Sequence, residues 1–160
     1  RMEEYTKGNE LFRSGHIEDA QAVYENALLQ STDDPLTIKL LLNTAQCHLI
    51  LRNYDEVIDK CTSVLCIDDS SVKALIRRAI AEEYTGDFNR SLADISLAMK
   101  LNTERRWDTE IRRIYTRVKA ALSEDEKAQA EQICPSSFVT PAQTLRMNFG
   151  ATVPSTMIIG

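Results

Sequence analysis

Three stretches of the chain, SGHIEDAQAVYENAL, LRNYDEVIDKCTSVL and TGDFNRSLADISLAM, superpose on one pattern, and this repetition constrains the fold more than any other feature. Each opens on a turn residue (Gly15, Arg52, Gly86), followed two positions later by an apolar or aromatic one (Ile17, Tyr54, Phe88). A small or β-branched residue comes next (Ala20, Val57, Ser91), then a bulkier one (Tyr24, Cys61, Ile95), then a second small position (Ala27, Val64, Ala98). The turn residues lie 37 and 34 positions apart. Apolar residues recur at helical spacing, with Gly and Pro scarce before residue 135, which predicts helices over about 2–14, 17–30, 35–51, 54–67, 70–85 and 88–101. No helix of this length buries its apolar stripe alone, so the pairs must stack, with the small residues allowing close approach.

A seventh helix is predicted in WDTEIRRIYTRVKAAL, where Trp107, Ile111, Ile114, Tyr115, Val118 and Leu122 form the apolar stripe and Arg112, Arg113 and Arg117 lie outside it. A helix of this kind caps the apolar face that a last pair leaves uncovered, with Trp107 seating it. Ser123 and Glu126 in SEDE have capping-box spacing and predict a kink or a new helix running through AQAEQI. From Cys134 the character changes: three of the four prolines, no Asp or Glu, and Arg146 as the one charged side chain. Residues 134–160 therefore read as a tail that is disordered or, given Phe138, Leu145, Met147 and Phe149, docked.

Charge and composition narrow the function. A net charge of −5 and a pI near 5.1 argue against a nucleic-acid or anionic-membrane surface, so any basic site is local. No apolar run reaches the roughly 20 residues that would insert into a bilayer, and no targeting peptide is visible. With Arg1 ahead of Met2, the sequence reads as a segment of a longer protein. Cys47, Cys61, Cys66 and Cys134 have no metal-type spacing, His16 and His48 do not complete a ligand set, and no cofactor motif is present. The cysteines read as buried reduced thiols of a cytoplasmic protein, although Cys61 and Cys66 point about 140° apart on a helix.

The period, and the order of small and large positions, resemble the tetratricopeptide repeat (TPR), a pair of antiparallel helices. The resemblance covers roughly residues 4–101. It implies an all-α domain over residues 1–133: three repeats (about 2–34, 35–69 and 70–103) in a right-handed superhelix, then a capping helix over about 105–133, with the tail outside. Arg52 departs from the glycine usual at the turn, and Val57 and Ser91 from alanine. In this family the first helix of each pair lines the concave side.

On those first helices, Asn9 in KGNELF, Asn43 in LLNTAQC, and Lys73 with Arg77 in KALIRR match four of the five residues of the two-carboxylate clamp of chaperone-binding TPR domains. The fifth position, usually lysine, is Tyr5, which can donate one hydrogen bond. The resemblance implies a partner: the acidic C-terminal peptide, of the Glu-Glu-Val-Asp type, of a 70-kDa or 90-kDa heat-shock chaperone. The chemistry suits these residues. Lys73 and Arg77, four apart, share a helical face and can close on one anion, Lys73 as a movable charge and Arg77 as a fixed fork. The asparagine amides add donors without charge.

Two other readings differ in class. A scaffold could recognise a different protein, or hold its own tail in the groove. An enzyme is the poorest fit: no nucleophile motif or phosphate-binding glycine loop is present, and Asp33 and Asp34 sit in a turn suited to helix capping.

Overall fold

Helix boundaries follow from turn chemistry. The computed structural model describes residues 2–133, in which seven helices run in order: α1 (Met2–Arg13), α2 (Ile17–Leu29), α3 (Asp34–Ile50), α4 (Tyr54–Ile67), α5 (Val72–Thr85), α6 (Phe88–Leu101) and α7 (Asp108–Ile133). Asp33 caps α3 by accepting from Leu36 N at 3.0 Å, with Pro35 in the first turn where its missing N–H costs nothing. Asp87 caps α6 through Arg90 N. Gly15 and Gly86 both turn at φ +85°, and Arg52 takes the same left-handed conformation at φ +62°. A side chain can therefore occupy the repeat's turn, at a cost of about 1 kcal/mol in backbone strain.

From α1 to α6 consecutive helices pack on one another, and α3 also meets α5, so the first helices of the second and third pairs are neighbours. Ala20, Tyr24 and Ala27 of α2 close on Leu36, Leu40 and Cys47 of α3. The next layer joins Leu41 and Ala45 to Val57, Cys61 and Val64, with Ala74 and Ala81 of α5. Ser91, at a position where alanine is usual, is fully buried and donates to the Ala79 carbonyl at 2.7 Å, so its hydroxyl ties α6 to α5. Tyr54 and Phe88 are half-buried rather than core. Tyr54 stacks face to face on the exposed Tyr84, centroids 4.7 Å apart.

Gly8 sits where α1 crosses α2. A β-carbon there would lie 2.4 Å from the Tyr24 ring, which is pinned in the core. Gly8→Ala is therefore expected to destabilise the domain by about 1–3 kcal/mol in urea unfolding, despite the better helix propensity of alanine.

Between α5 and α6, Arg78 grips Asp94 with two bonds of 2.6 and 2.9 Å, and Glu82 lies 4.0 Å from the same guanidinium. Glu82 is 4% exposed, and burial, followed by the neighbouring Asp94 charge, pushes its carboxyl up to about 7 despite Arg78.

The chain divides into two compact units, one ending at Ala120 and the other beginning at Ala121. In the first, Ile111, Ile114 and Val118 are buried, and Arg117 holds Glu83 of α5 with bonds of 2.5 and 2.6 Å. In the second, α7 continues without a break through Ser123. The capping-box reading of SEDE is thus corrected. With no Gly or Pro from 108 to 133, nothing interrupts the helix, and Glu124 is free to pair with Lys127 at 3.1 Å. The tail, residues 134–160, lies outside the described residues, as does Cys134.

Cys47 and Cys61 are buried free thiols, pushed up by burial to about 11 and about 12. Cys66 is exposed, contrary to the buried reading, because two residues five apart on α4 cannot both face its core.

Candidate functional site

Two adjoining pockets lie along the first helices. Asn9 of α1, Asn43 of α3 and Arg77 of α5 converge on one of about 150 Å³, together with Phe12, Tyr24 and Gln46. Lys73 and Arg77 line the other, about 140 Å³, with Gln46, Ile76, Trp107 and Glu110. Gln46 and Arg77 belong to both. Four residues dispersed over the sequence thus form one continuous surface.

The amides are organised before any ligand arrives. Asn9 Oδ1 accepts from the Tyr24 hydroxyl at 2.7 Å and from Asn43 Nδ2 at 3.0 Å. Arg77 is held from α3: its Nε donates to Gln46 Oε1 at 2.9 Å and its Nη1 to the Leu42 carbonyl at 2.8 Å. Neither bond uses Nη2, so among the described residues one arm of the fork stays available.

Charge is under-compensated here. Among the described residues neither Lys73 nor Arg77 forms an ion pair, whereas the adjacent Arg78 is bound bidentately to Asp94. Burial pulls the Arg77 pKa down, opposed by smaller effects of Cys61, Glu110 and Cys47. A cation strained by desolvation in this way gains from an incoming anion. Lys73 stands in the first turn of α5, which carries no acidic residue. A cation is disfavoured at that end of a helix, so local stability does not account for it. Its ammonium lies 5.8 Å from the centroid of the Trp107 ring, and the Arg106 guanidinium 5.3 Å.

Tyr5 lines neither pocket. Its half-buried ring packs on the α1–α2–α3 core, tilted against Tyr24 with centroids 6.5 Å apart.

Sequence reasoning missed four participants. Gln46 stands three residues after Asn43, on the same face of α3, a spacing that could have revealed it. Tyr24 stands at the bulkier position of the repeat, and its hydroxyl's partner is visible only once α1 and α2 are paired. Trp107 and Glu110 enter because the start of α7 closes the second pocket, which no local pattern encodes.

The C-terminal TPR-containing domain of a Plasmodium falciparum FK506-binding protein matches with a TM-score of 0.71 and 28% identity, over 79% of this chain and 90% of that one. The chain is a tetratricopeptide-repeat domain. The second TPR domain of Spaghetti (RPAP3), solved bound to the HSP90 peptide SRMEEVD, matches this TPR domain with a TM-score of 0.57 and 28% identity, over 62% of this chain and 90% of that one. Among curated proteins, the DnaJ homolog subfamily C member 7 homolog of Schizosaccharomyces pombe is 33% identical over 121 residues, covering 74% of this chain and 25% of that protein. The TPR domain thus spans about a quarter of that relative's length. No family model matches the chain.

Proposed function

We propose that the domain is a co-chaperone adaptor that captures the C-terminal peptide of a cytosolic heat-shock chaperone of the 70-kDa or 90-kDa class by its free carboxylates. The observation that carries this reading is the pair Lys73 and Arg77, cations that form no ion pair among the described residues, on a face shared with the Asn9 and Asn43 amides. A terminal aspartate brings two carboxylates, and each needs more than one donor where water is partly excluded. The likeness to a TPR domain solved with SRMEEVD, whose C-terminus has that chemistry, supports the same partner class. No helix among the described residues is long and apolar enough to cross a membrane. In this reading the domain binds rather than catalyses, and works in the cytoplasm.

Calorimetric titration with SRMEEVD tests the proposal. Affinity in the micromolar range, about −8 kcal/mol, is expected, since a short peptide must be ordered on binding. The same peptide amidated at its C-terminus should bind at least about tenfold more weakly, through loss of a charge-assisted contact. Equal binding of acid and amide forms, or none of either, would refute carboxylate capture.

A further inference from the structure

We propose that Tyr24 is a positioning residue of the groove: its hydroxyl fixes the Asn9 amide by its oxygen, which leaves the Asn9 Nδ2 as a donor for the ligand. The proposal rests on the anion-binding reading above and extends it to a residue that packing alone would explain. Three observations support it.

The first is saturation of an acceptor. An amide oxygen has two lone pairs, and Asn9 Oδ1 accepts from Tyr24 at 2.7 Å and Asn43 at 3.0 Å. Rotating the amide by half a turn would set its NH2 against the Asn43 NH2 and would force the Tyr24 hydroxyl to turn from donor to acceptor. The Nδ2 end is therefore the free one, in a pocket lined by Asn9, Asn43 and Arg77, and it offers only donors.

The second is placement. The Tyr24 ring is 1% exposed and reaches Asn9 because Gly8, one residue earlier on α1, has no side chain in its path. Any larger residue at position 8 would meet the ring before the hydroxyl reached the amide. The close approach of α1 and α2 thus sets the hydrogen-bond distance.

The third is the state of the phenol. Burial, then the neighbouring Cys47, pushes Tyr24 up to about 12, so it remains a proton donor at neutral pH. A group that titrated there could not hold the amide steadily.

Tyr24→Phe removes one oxygen and leaves the ring. In titrations with SRMEEVD, the variant should bind about five- to tenfold more weakly than the parent, the effect expected for one hydrogen bond that orients a charge-assisted contact. Its affinity for the amidated peptide should change less, and its thermal unfolding midpoint should stay close to the parent's. A second readout needs no peptide: in 15N-labelled protein, the Asn9 side-chain amide resonances should shift in Tyr24→Phe and exchange faster with solvent. Parent-like affinity for SRMEEVD, or equal losses for acid and amide peptides, would overturn the positioning role. If the parent itself bound no peptide, the chaperone reading would fail while the amide resonances still decided the role of Tyr24; unchanged resonances would sink it.

Discussion

Asp94→Ala is expected to destabilise the domain by about 3 kcal/mol, the cost of removing one partner from a buried ion pair. Arg78 would lose both its short bonds and keep its charge, at a position between α5 and α6 where its side chain is 22% exposed. Glu82, 4.0 Å from Arg78, should partly offset the loss by ionising to replace the missing carboxylate. This gives the variant a second signature in its pH profile. In the parent, the Glu82 carboxyl stands near 7 in the folded state, above the roughly 4.3 of an unfolded glutamate, so the folded state holds an extra proton between those values. That contribution to stability is complete below the unfolded pKa and is lost as pH rises through about 7. Asp94→Ala should flatten this decline, because the Asp94 charge that raises the Glu82 pKa is gone while Arg78, which lowers it, remains. Urea unfolding of both proteins from pH 4.5 to 8 measures it. Parallel profiles would show that the Asp94 charge does not raise the Glu82 carboxyl as described.

Arg77→Ala should weaken SRMEEVD binding by at least about 30-fold, near 2 kcal/mol, the range for a lost hydrogen bond to a charged group. Lys73→Ala is expected to abolish binding to the same peptide. Arg77→Lys is the more informative variant. Arginine anchors itself to Gln46 and Leu42 through Nε and Nη1, bonds that leave out Nη2, the arm assigned to the ligand in the proposed function. A lysine ammonium cannot hold both anchors and still present a directed donor, so about a tenfold loss is expected even with the charge retained. Calorimetry with urea unfolding of each variant separates the effects. If Arg77→Lys bound like the parent, the cation's charge alone would matter, and the guanidinium anchoring would be incidental to recognition.

The repeat was legible because its signal is geometric. Ala20, Ala27 and Ala98 recur where only a small residue permits close helix approach, and all three are fully buried. Turn chemistry was similarly local: Asp33 ahead of Pro35 announced the start of α3, and Gly15 and Gly86 the left-handed turns. Reading Ser123 as a helix start failed for the converse reason. Its spacing matched a cap, but a cap forms only where the helix has some cause to end.

Asn9, Asn43, Lys73 and Arg77 could be named from sequence because they match the clamp positions of the family the chain resembles, whereas helix periodicity alone puts only Lys73 and Arg77, on one helix, on a common side. The sequence by itself thus determined the helices, their pairing and the face that would carry a site. Which of two adjacent arginines lines the candidate site was decided by tertiary structure. Arg77 and Arg78 differ by about 100° around α5, and only the placement of α3 and α6 sends one to Gln46 and the groove and the other to Asp94. The Tyr24 hydroxyl on Asn9, the Gln46 anchor, and Trp107 with Glu110 closing the second pocket arise in the same way, from contacts between elements 15 to 37 residues or more apart. Periodicity records the direction of a side chain from its own helix; what it meets there depends on helices that fold against it from elsewhere in the chain.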